Sequence, residues 1–493
     1  MADVKCTLEI LDEERTRYSD TYRRTPITGR VRDDQDGDSL VRDTIERFHE
    51  WVAIDDRNIT REDLELLGRH LYYLLFDETI RDAFEQSYQG FHETQDSDAR
   101  LRLVLAFHKP AQRLASYPWE FLFMPRRENK PGFFICAERR TELILTRFVP
   151  EQTPTESVRP VDTALKVLVA FSNPRDLGSR LNADAFIQEI SAMKQITVEV
   201  VTEPAKLTRD TLRDEIRRFG PHIVHFIAHG DVAKGIALMR PPEEIQREYD
   251  ETSRLHDADW VDSRTLSTLF APPGPRLVFL HGCEGAAAAT MRSFNSMAHE
   301  LVYDYGVPAV VAMQYVISND AAARFATTFY RELSDGKPID VAVSEGRWEL
   351  RKSQRGEFAD RGFGTPLVYL QREDAIVLHR IEEEDGSADR SVPCPYDCGG
   401  RVFVGNVLCG KCTRPLAVCE QGHVMAADRD SCPQGHPARD RGVAAAPSIA
   451  LQGSHVESGR TGVASGLRSQ GEPGSTDRLR AAYEQARGTG QGE

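Results

Sequence analysis

Apolar and polar positions fall into short blocks whose period alternates along much of the chain. An apolar run too short for a helix, Leu165 to Phe171, is followed by helical spacing over Ala183 to Met193. A second run, Thr197 to Thr202, is followed by a second helical stretch, Arg209 to Phe219. Two more runs, HIVHFIA from His222 and LVFL over Leu277 to Leu280, enclose a helical stretch at Ser263 to Phe270. A strand over Val307 to Met313 and helices over Asp320 to Leu333 and Ile339 to Leu350 complete the series. Strands alternating with helices predict right-handed crossovers and a mostly parallel α/β sheet with flanking helices. The first 160 residues carry strand-like pieces at Lys5 to Leu11, Leu101 to Phe107 and Leu143 to Phe148, and helical stretches at Leu64 to Phe76 and Ile80 to Ser87. Arg32 to Ser39 reads as a polar turn. Trp119, in the mostly apolar segment WEFLFM, reads as a core anchor, because large aromatics mainly supply packing area. A connection over Pro150 to Pro160 divides residues 1–160 from residues 161–380.

Candidate chemistry sits just past the ends of two of these strands. HIVHFIAHG ends in His229 and Gly230, and RLVFLHGCEG stops at Gly282, Cys283 and Gly285. As parallel neighbours, the two strands would deliver His229 and Cys283 to one carboxyl edge, where open α/β sheets place their sites. Singly, such a cysteine or histidine is more often a core residue; together they make a nucleophile and its acid/base partner. The Cys283 thiolate would attack a carbonyl and His229 would protonate the leaving amine. The backbone N–H groups of Gly230 and Cys283 would hold the oxyanion. His222 and His225, on the same strand as His229, read as packing residues. His281 shares a face with Cys283 in an extended segment and is a candidate pocket residue. Glu284 either caps the following helix or lines the pocket. Residues 241–259 carry seven carboxylates against two arginines and read as a solvated loop rimming the site, with a field favouring basic substrate segments. Ala286 to Thr290 forms a small-residue loop on the other side.

The motifs HFIAHG and RLVFLHGCEG, followed by VPAVVAMQYVISNDAAARFATTFYRELSDG and TPLVYL, resemble the CHAT domain, a bacterial relative of the caspases and separases. The resemblance runs from about residue 60 to about residue 372 and includes Leu64 to Phe76 and Pro118, Trp119 and Glu120. It implies a caspase-like sheet in two halves, residues 1–160 as a degenerate copy that supports the catalytic half, residues 161–380. It also implies a cysteine endopeptidase with no third acidic residue behind the histidine. His281 and Gly282 depart from the pattern, since many relatives carry serine or threonine and alanine there. In the wider clan an acidic residue two positions before the cysteine often pairs with arginine or lysine of the substrate, a task histidine does not perform. The acidic stretch at Glu243 to Asp259 and the habits of caspase-like relatives favour a basic residue at the cleaved position, and His281 stands against it; the expected preference is for basic or medium apolar residues over aspartate.

Composition narrows the picture further. The formal charge of −15 argues against a general nucleic-acid binder. No apolar run approaches the length that spans a bilayer, and the opening MADVKC does not resemble a signal peptide, so a cytoplasmic location is expected. Six of the nine cysteines crowd into Cys394 to Cys432, beyond an acidic linker at residues 381–392. In a reducing compartment such a cluster reads as a metal site. The candidate ligands over residues 393–440 form two sets: Cys394, Cys398, Cys409 and Cys412, then Cys419, His423, Cys432 and His436. This pattern predicts a double zinc ribbon holding two structural Zn2+ ions. Sequential pairing is favoured over cross-bracing because each set closes a short loop. Residues 441–493 are rich in Gly, Ala and Ser and are expected to be disordered, with a possible short helix at Asp477 to Arg487. Arginine outnumbers lysine 52 to 10, which suits a GC-rich bacterial genome and a regulatory or defence role. Two functional classes remain: a peptidase whose zinc module recruits a protein substrate or a regulatory protein partner, and an inactive CHAT/zinc-ribbon scaffold.

Overall fold

A computed structural model describes residues 3–32, 40–54, 58–93, 99–125, 132–137, 143–150, 164–177, 183–193, 196–200, 207–231, 234–252, 256–270, 274–281, 292–315, 317–371, 392–398, 401–402, 412, 414–419 and 423–432. The chain divides into two compact units, residues 1–383 and 384–493.

The first unit opens with β1 (Val4–Ile10), β2 (Arg15–Asp20), β3 (Ile27–Arg30), α1 (Leu40–Ile54), α2 (Arg61–Leu75), α3 (Glu78–Glu93), β4 (Leu101–Phe107) and β5 (Leu143–Phe148). It continues with β6 (Leu165–Phe171), α4 (Asp184–Ser191), β7 (Ile196–Val200), α5 (Arg209–Phe219), β8 (Ile223–Ile227), β9 (Gly230–Asp231) and β10 (Gly235–Met239). Next come α6 (Pro242–Thr252), β11 (Ala258–Val261), α7 (Ser263–Leu269), β12 (Leu277–His281) and α8 (Arg292–Tyr303). The series closes with β13 (Ala309–Met313), α9 (Asn319–Ser334), α10 (Ile339–Leu350) and β14 (Pro366–Leu370).

Eleven of these strands form one sheet in the order β3-β2-β1-β4-β5-β14-β13-β12-β8-β6-β7. Only the β1/β2, β2/β3 and β13/β14 pairs are antiparallel, so the expected mostly parallel α/β class is the one observed. Side chains alternate between two cores, as a period of two requires. On β12, Leu277 and Phe279 join the core beneath α4, α9 and α10, whereas Val278 and Leu280 join the core beneath α5, α7 and α8. Helix starts follow local chemistry. Thr60 and Asp63 make a capping box for α2, and Thr208, Asp262 and Ser318 cap α5, α7 and α9 through side-chain oxygens. Gly220 ends α5 at φ +60°, a conformation that suits glycine.

One expectation is corrected, and elements beyond those expected are present. Residues 242–252 of the expected acidic loop form α6, which begins with Pro242, Glu243 and Glu244, as the N-terminal dipole favours; it buries none of its residues, so the solvated part of the expectation stands. The β2/β3 hairpin and α1 were not anticipated. β2 buries Thr16, Tyr18 and Asp20 between exposed neighbours, a polar alternation without an apolar run. Residues 33–39, 151–160 and 286–290 lie outside the described residues, as do 441–493.

One buried polar hub ties the first five strands to the rest. The Glu120 carboxylate accepts from Arg147 Nε (3.0 Å) and Nη2, from Gln314 Nε2 (2.7 Å) and from Arg347 Nη2 (3.4 Å). Arg147 on β5 also donates to the Ala115 carbonyl and the Tyr369 hydroxyl, and Arg347 on α10 donates to the carbonyls of Pro366 and Leu145. All are buried. Trp119 is buried beside them and donates to the Leu114 carbonyl at 2.8 Å, as a core anchor should.

The second unit holds two small hairpins, β15 (Val392–Pro393) with β16 (Arg401–Val402), and β17 (Leu416–Val418) with β18 (Val424–Ala426). Its described cores are small: one contains Cys394, Val402, Leu416 and Val424, the other Cys419, Met425 and Cys432.

Replacing Glu120 by Ala would strand two buried guanidiniums, and removing one partner of a buried pair costs about 3–5 kcal/mol. The expected result is a loss of that size in urea-unfolding free energy. A loss below about 1 kcal/mol, the scale of an exposed ion pair, would contradict the hub's role.

Candidate active site and metal-binding groups

The two strands that lead to the candidate chemistry are adjacent, parallel and in register. Ile223 pairs with Leu277, and the pairing runs without a break to Ile227 opposite His281. His229 lies two residues beyond Ile227. Cys283 lies two residues beyond His281 in sequence, and with Gly282 and Glu284 falls outside the described residues.

His229 is 4% exposed, and its backbone is held on both sides. The Ala228 N–H donates to the His281 carbonyl at 3.3 Å, and the Ala237 N–H donates to the His229 carbonyl at 2.8 Å. Gly230 opens the small antiparallel sheet β9-β10-β11, pairing with Ile236. That sheet needs glycine at 235, where φ is +94° and a Cβ would lie 2.1 Å from the Val261 carbonyl oxygen. The hairpin thus positions His229 and Gly230 together at the carboxyl end of β8.

His281 and His225 form a buried chain that the sequence reading did not anticipate. The Tyr330 hydroxyl lies 3.0 Å from His225 Nδ1, and His225 Nε2 lies 3.3 Å from His281 Nδ1. The His225 ring stacks on Phe279 with centroids 4.2 Å apart and also contacts Phe186. Burial, reinforced by His281, pushes His225 well below the ordinary histidine range, and burial pulls His281 down to about 4. Both rings are neutral near pH 7. The packing role expected for His225 is observed, with a hydrogen-bonding role added. His222 accepts from the Lys166 N–H through Nδ1 at 3.0 Å, a structural contact. The remaining described thiols of the first unit, Cys6 and Cys136, are buried, and burial pushes both up to about 12, leaving them as inert thiols.

The carboxylates of residues 241–259 are less available than a charge count suggests. Glu248 pairs with Arg240 and His256, Asp257 with Arg175 at 2.6 Å, and Asp259 with Arg209 at 2.6 Å. Local pairing cancels much of the field expected to favour basic substrates.

In the second unit the described ligands collect in two groups, Cys394 with Cys398 and Cys412, and Cys419 with His423 and Cys432. Within each, the donor atoms lie within 4.8 Å of one another. Cys394 and Cys412 sulfurs are 3.8 Å apart; His423 Nδ1 lies 3.4 Å from Cys419 Sγ and 3.9 Å from Cys432 Sγ. A tetrahedral ion with metal–sulfur bonds of about 2.3 Å places its sulfurs about 3.8 Å apart, so both groups could hold a metal ion. The grouping follows sequence order, as the short-loop argument expects. Asp397 takes φ +54° inside the Cys394–Cys398 turn and donates its N–H to the Cys394 carbonyl at 2.9 Å, forming a tight knuckle. Cys409 and His436 lie outside the described residues.

Most of the first unit matches a known family. The CHAT domain model matches residues 65–392, more than half of the chain, and the chain belongs to the CHAT domain family. No curated protein matches. Among solved structures, the Saccharomyces cerevisiae separase–securin complex is similar at 10% identity and a TM-score of 0.36, covering 77% of this chain and 30% of that one. The Arg-specific cysteine proteinase gingipain R (RgpB) is similar at 12% identity and a TM-score of 0.35, covering 69% of this chain and 76% of that one. The complex of Porphyromonas gingivalis RgpB pro- and mature domains is similar at the same identity and score, covering 69% and 78%. The chain therefore spans under a third of the separase chain it matches.

Cobalt loading tests the grouping of ligands. Two ions per chain are expected, and thiolate charge-transfer absorption should be stronger at one site than at the other, because the first group holds more sulfur. Two sites of equal sulfur content, or fewer than two ions, would contradict it.

Proposed function

We propose that this protein is a cysteine endopeptidase in which Cys283 is the nucleophile and His229 the acid/base. The observation that carries the reading is the register of β8 and β12. Ile227 stands opposite His281, and the two candidate residues each follow by two positions. The membership in the CHAT family supports it.

In this mechanism His229 takes the thiol proton and the Cys283 sulfur attacks the scissile carbonyl carbon. The negative charge on the carbonyl oxygen is held by the N–H groups of Gly230 and Cys283. As the C–N bond breaks, the His229 imidazolium gives its proton to the leaving amine. Water then attacks the thioester, His229 accepts the water's proton, and the acid product leaves as the thiol is restored.

Zinc is the metal proposed for the cysteine-rich unit, two ions with structural roles. Cys394, Cys398, Cys409 and Cys412 would hold one, and Cys419, His423, Cys432 and His436 the other. A unit with so small an apolar core gains its stability from metal binding. Its proposed task is to recruit the protein substrate or a regulatory protein partner, in the cytoplasm of a bacterial cell and in a regulatory or defence setting.

Cys283→Ala and His229→Ala should each abolish cleavage of a natural substrate captured by the Cys283→Ala protein from native lysate. Both variants should remain folded at the assay temperature by circular dichroism, so that lost cleavage reports on the chemistry. The assay is mapping of new N-termini after adding wild-type protein to the captured target. Cleavage retained by either variant would refute the dyad, and the absence of any cleavage by the wild type would favour the scaffold reading.

A further inference from the structure

The β17/β18 hairpin carries ligands of one cysteine-rich group and packs its flank against the other. Cys419 and His423 sit at its tip, where the Cys419 N–H donates to the His423 carbonyl at 3.0 Å and the His423 N–H donates to Cys419 Sγ at 3.3 Å. Its body has two faces. Ala417 stands opposite Met425 and Val418 opposite Val424, and successive residues of a strand point to opposite sides. Ala417 and Met425 pack with Cys419 and Cys432 of the second group. Leu416 and Val424 pack with Cys394 and Val402, and Cys398 and Cys412 of the first group lie against the same cluster. One hairpin is therefore a wall of both groups.

The open end of the same hairpin is clasped by the first group's knuckle. Tyr396 lies between Cys394 and Cys398. Its hydroxyl donates to the Pro415 carbonyl at 2.7 Å and accepts from the Ala427 N–H at 3.2 Å. Pro415 precedes β17 and Ala427 follows β18. That N–H also reaches the Pro415 carbonyl at 3.2 Å, so the phenol completes a set of hydrogen bonds across the two hairpin ends. The Arg414 guanidinium lies over the Tyr396 ring, 5.1 Å from its centroid, a cation–π contact. None of these groups is a candidate metal ligand. The two described cores hold few large apolar side chains, too few to order the hairpin unaided.

We propose that the two cysteine-rich groups load their metal ions cooperatively, with the shared hairpin as the coupling element and Tyr396 as its clasp. The proposal rests on the metal reading above. An ion in either group fixes the hairpin. The other ion then binds against a wall already in place and loses less entropy in ordering it, which is positive coupling without contact between the ions. Linkage makes the effect reciprocal, so each ion raises the affinity for the other by one common factor. The half-loaded unit is disfavoured relative to two independent sites, and the unit orders as one body. Tyr396 is a positioning residue, since it touches neither ion.

The test is a Zn2+ titration of the reduced full-length protein in competition with a chromophoric chelator of known affinity. Single-group affinities come from two double variants: Cys394→Ala with Cys398→Ala leaves the second group, and Cys419→Ala with Cys432→Ala leaves the first. The wild-type constant for binding two ions should exceed the product of the two single-group constants by about 10-fold or more. Tyr396→Phe keeps every ligand and the ring; added to all three proteins, it should lower that factor by about threefold or more, the scale of a lost hydrogen bond. A two-ion constant equal to the product, or a factor unchanged by Tyr396→Phe, would overturn the proposal while leaving the metal reading intact. Fewer than two ions bound by the wild type would refute the metal reading and the proposal with it.

Discussion

The molecule depends on a carboxylate shared by two buried arginines. Glu120 stands between Arg147 and Arg347, and none of the three reaches solvent appreciably. Burying a charge costs several kcal/mol, and the attraction repays it only with good geometry and further hydrogen bonds. Here the further bonds are present, because backbone carbonyls and Tyr369 take up the guanidinium hydrogens. Burial works against the Arg147 charge, yet Glu120 and Tyr369 hold its pKa above the ordinary value, whereas burial leaves Arg347 somewhat below its own. The hub also fixes Gln314, which follows β13, the strand beside β12. Direct strand pairing between the two parts of the sheet is slight: Tyr369 with Arg147 and Leu370 with Phe148. A directional polar joint supplements that seam and fixes the order in which the strands continue toward the candidate site.

Much of this was legible in the sequence, and the reason is periodicity. Strands β6, β8, β12 and β13 are apolar runs because both faces of the sheet are covered there, and the helices Arg209–Phe219 and Ile339–Leu350 appear with the bounds expected. The placement of His229 just past a strand end was equally readable. What escaped was polar or non-local. β2 has no apolar run to betray it. The role of Glu120 depends on arginines 27 and 227 positions away, a pairing that no local window contains. His225 and His281 were seen singly, and only the register of β8 with β12 brings them to hydrogen-bonding distance.

The two units draw on different physics. The first buries a large apolar core on both faces of its sheet; the second has few apolar residues and instead converges sulfur and imidazole donors at tetrahedral spacing. The thiols separate in the same way. Cys6 and Cys136 are packing residues whose burial suppresses ionisation, and the described cysteines of the second unit gather in two groups that could hold metal ions. Cys283 follows β12 by two positions in sequence, and nucleophile is its proposed role.

Labelling with a peptidyl acyloxymethyl ketone, an electrophile that an activated thiol captures by displacing its carboxylate, tests the central claim most directly. Peptide mapping by mass spectrometry should find the label on Cys283 alone among the nine cysteines, and replacing His229 by Ala should suppress it. Label on another cysteine, or labelling of Cys283 at an equal rate without His229, would contradict the account.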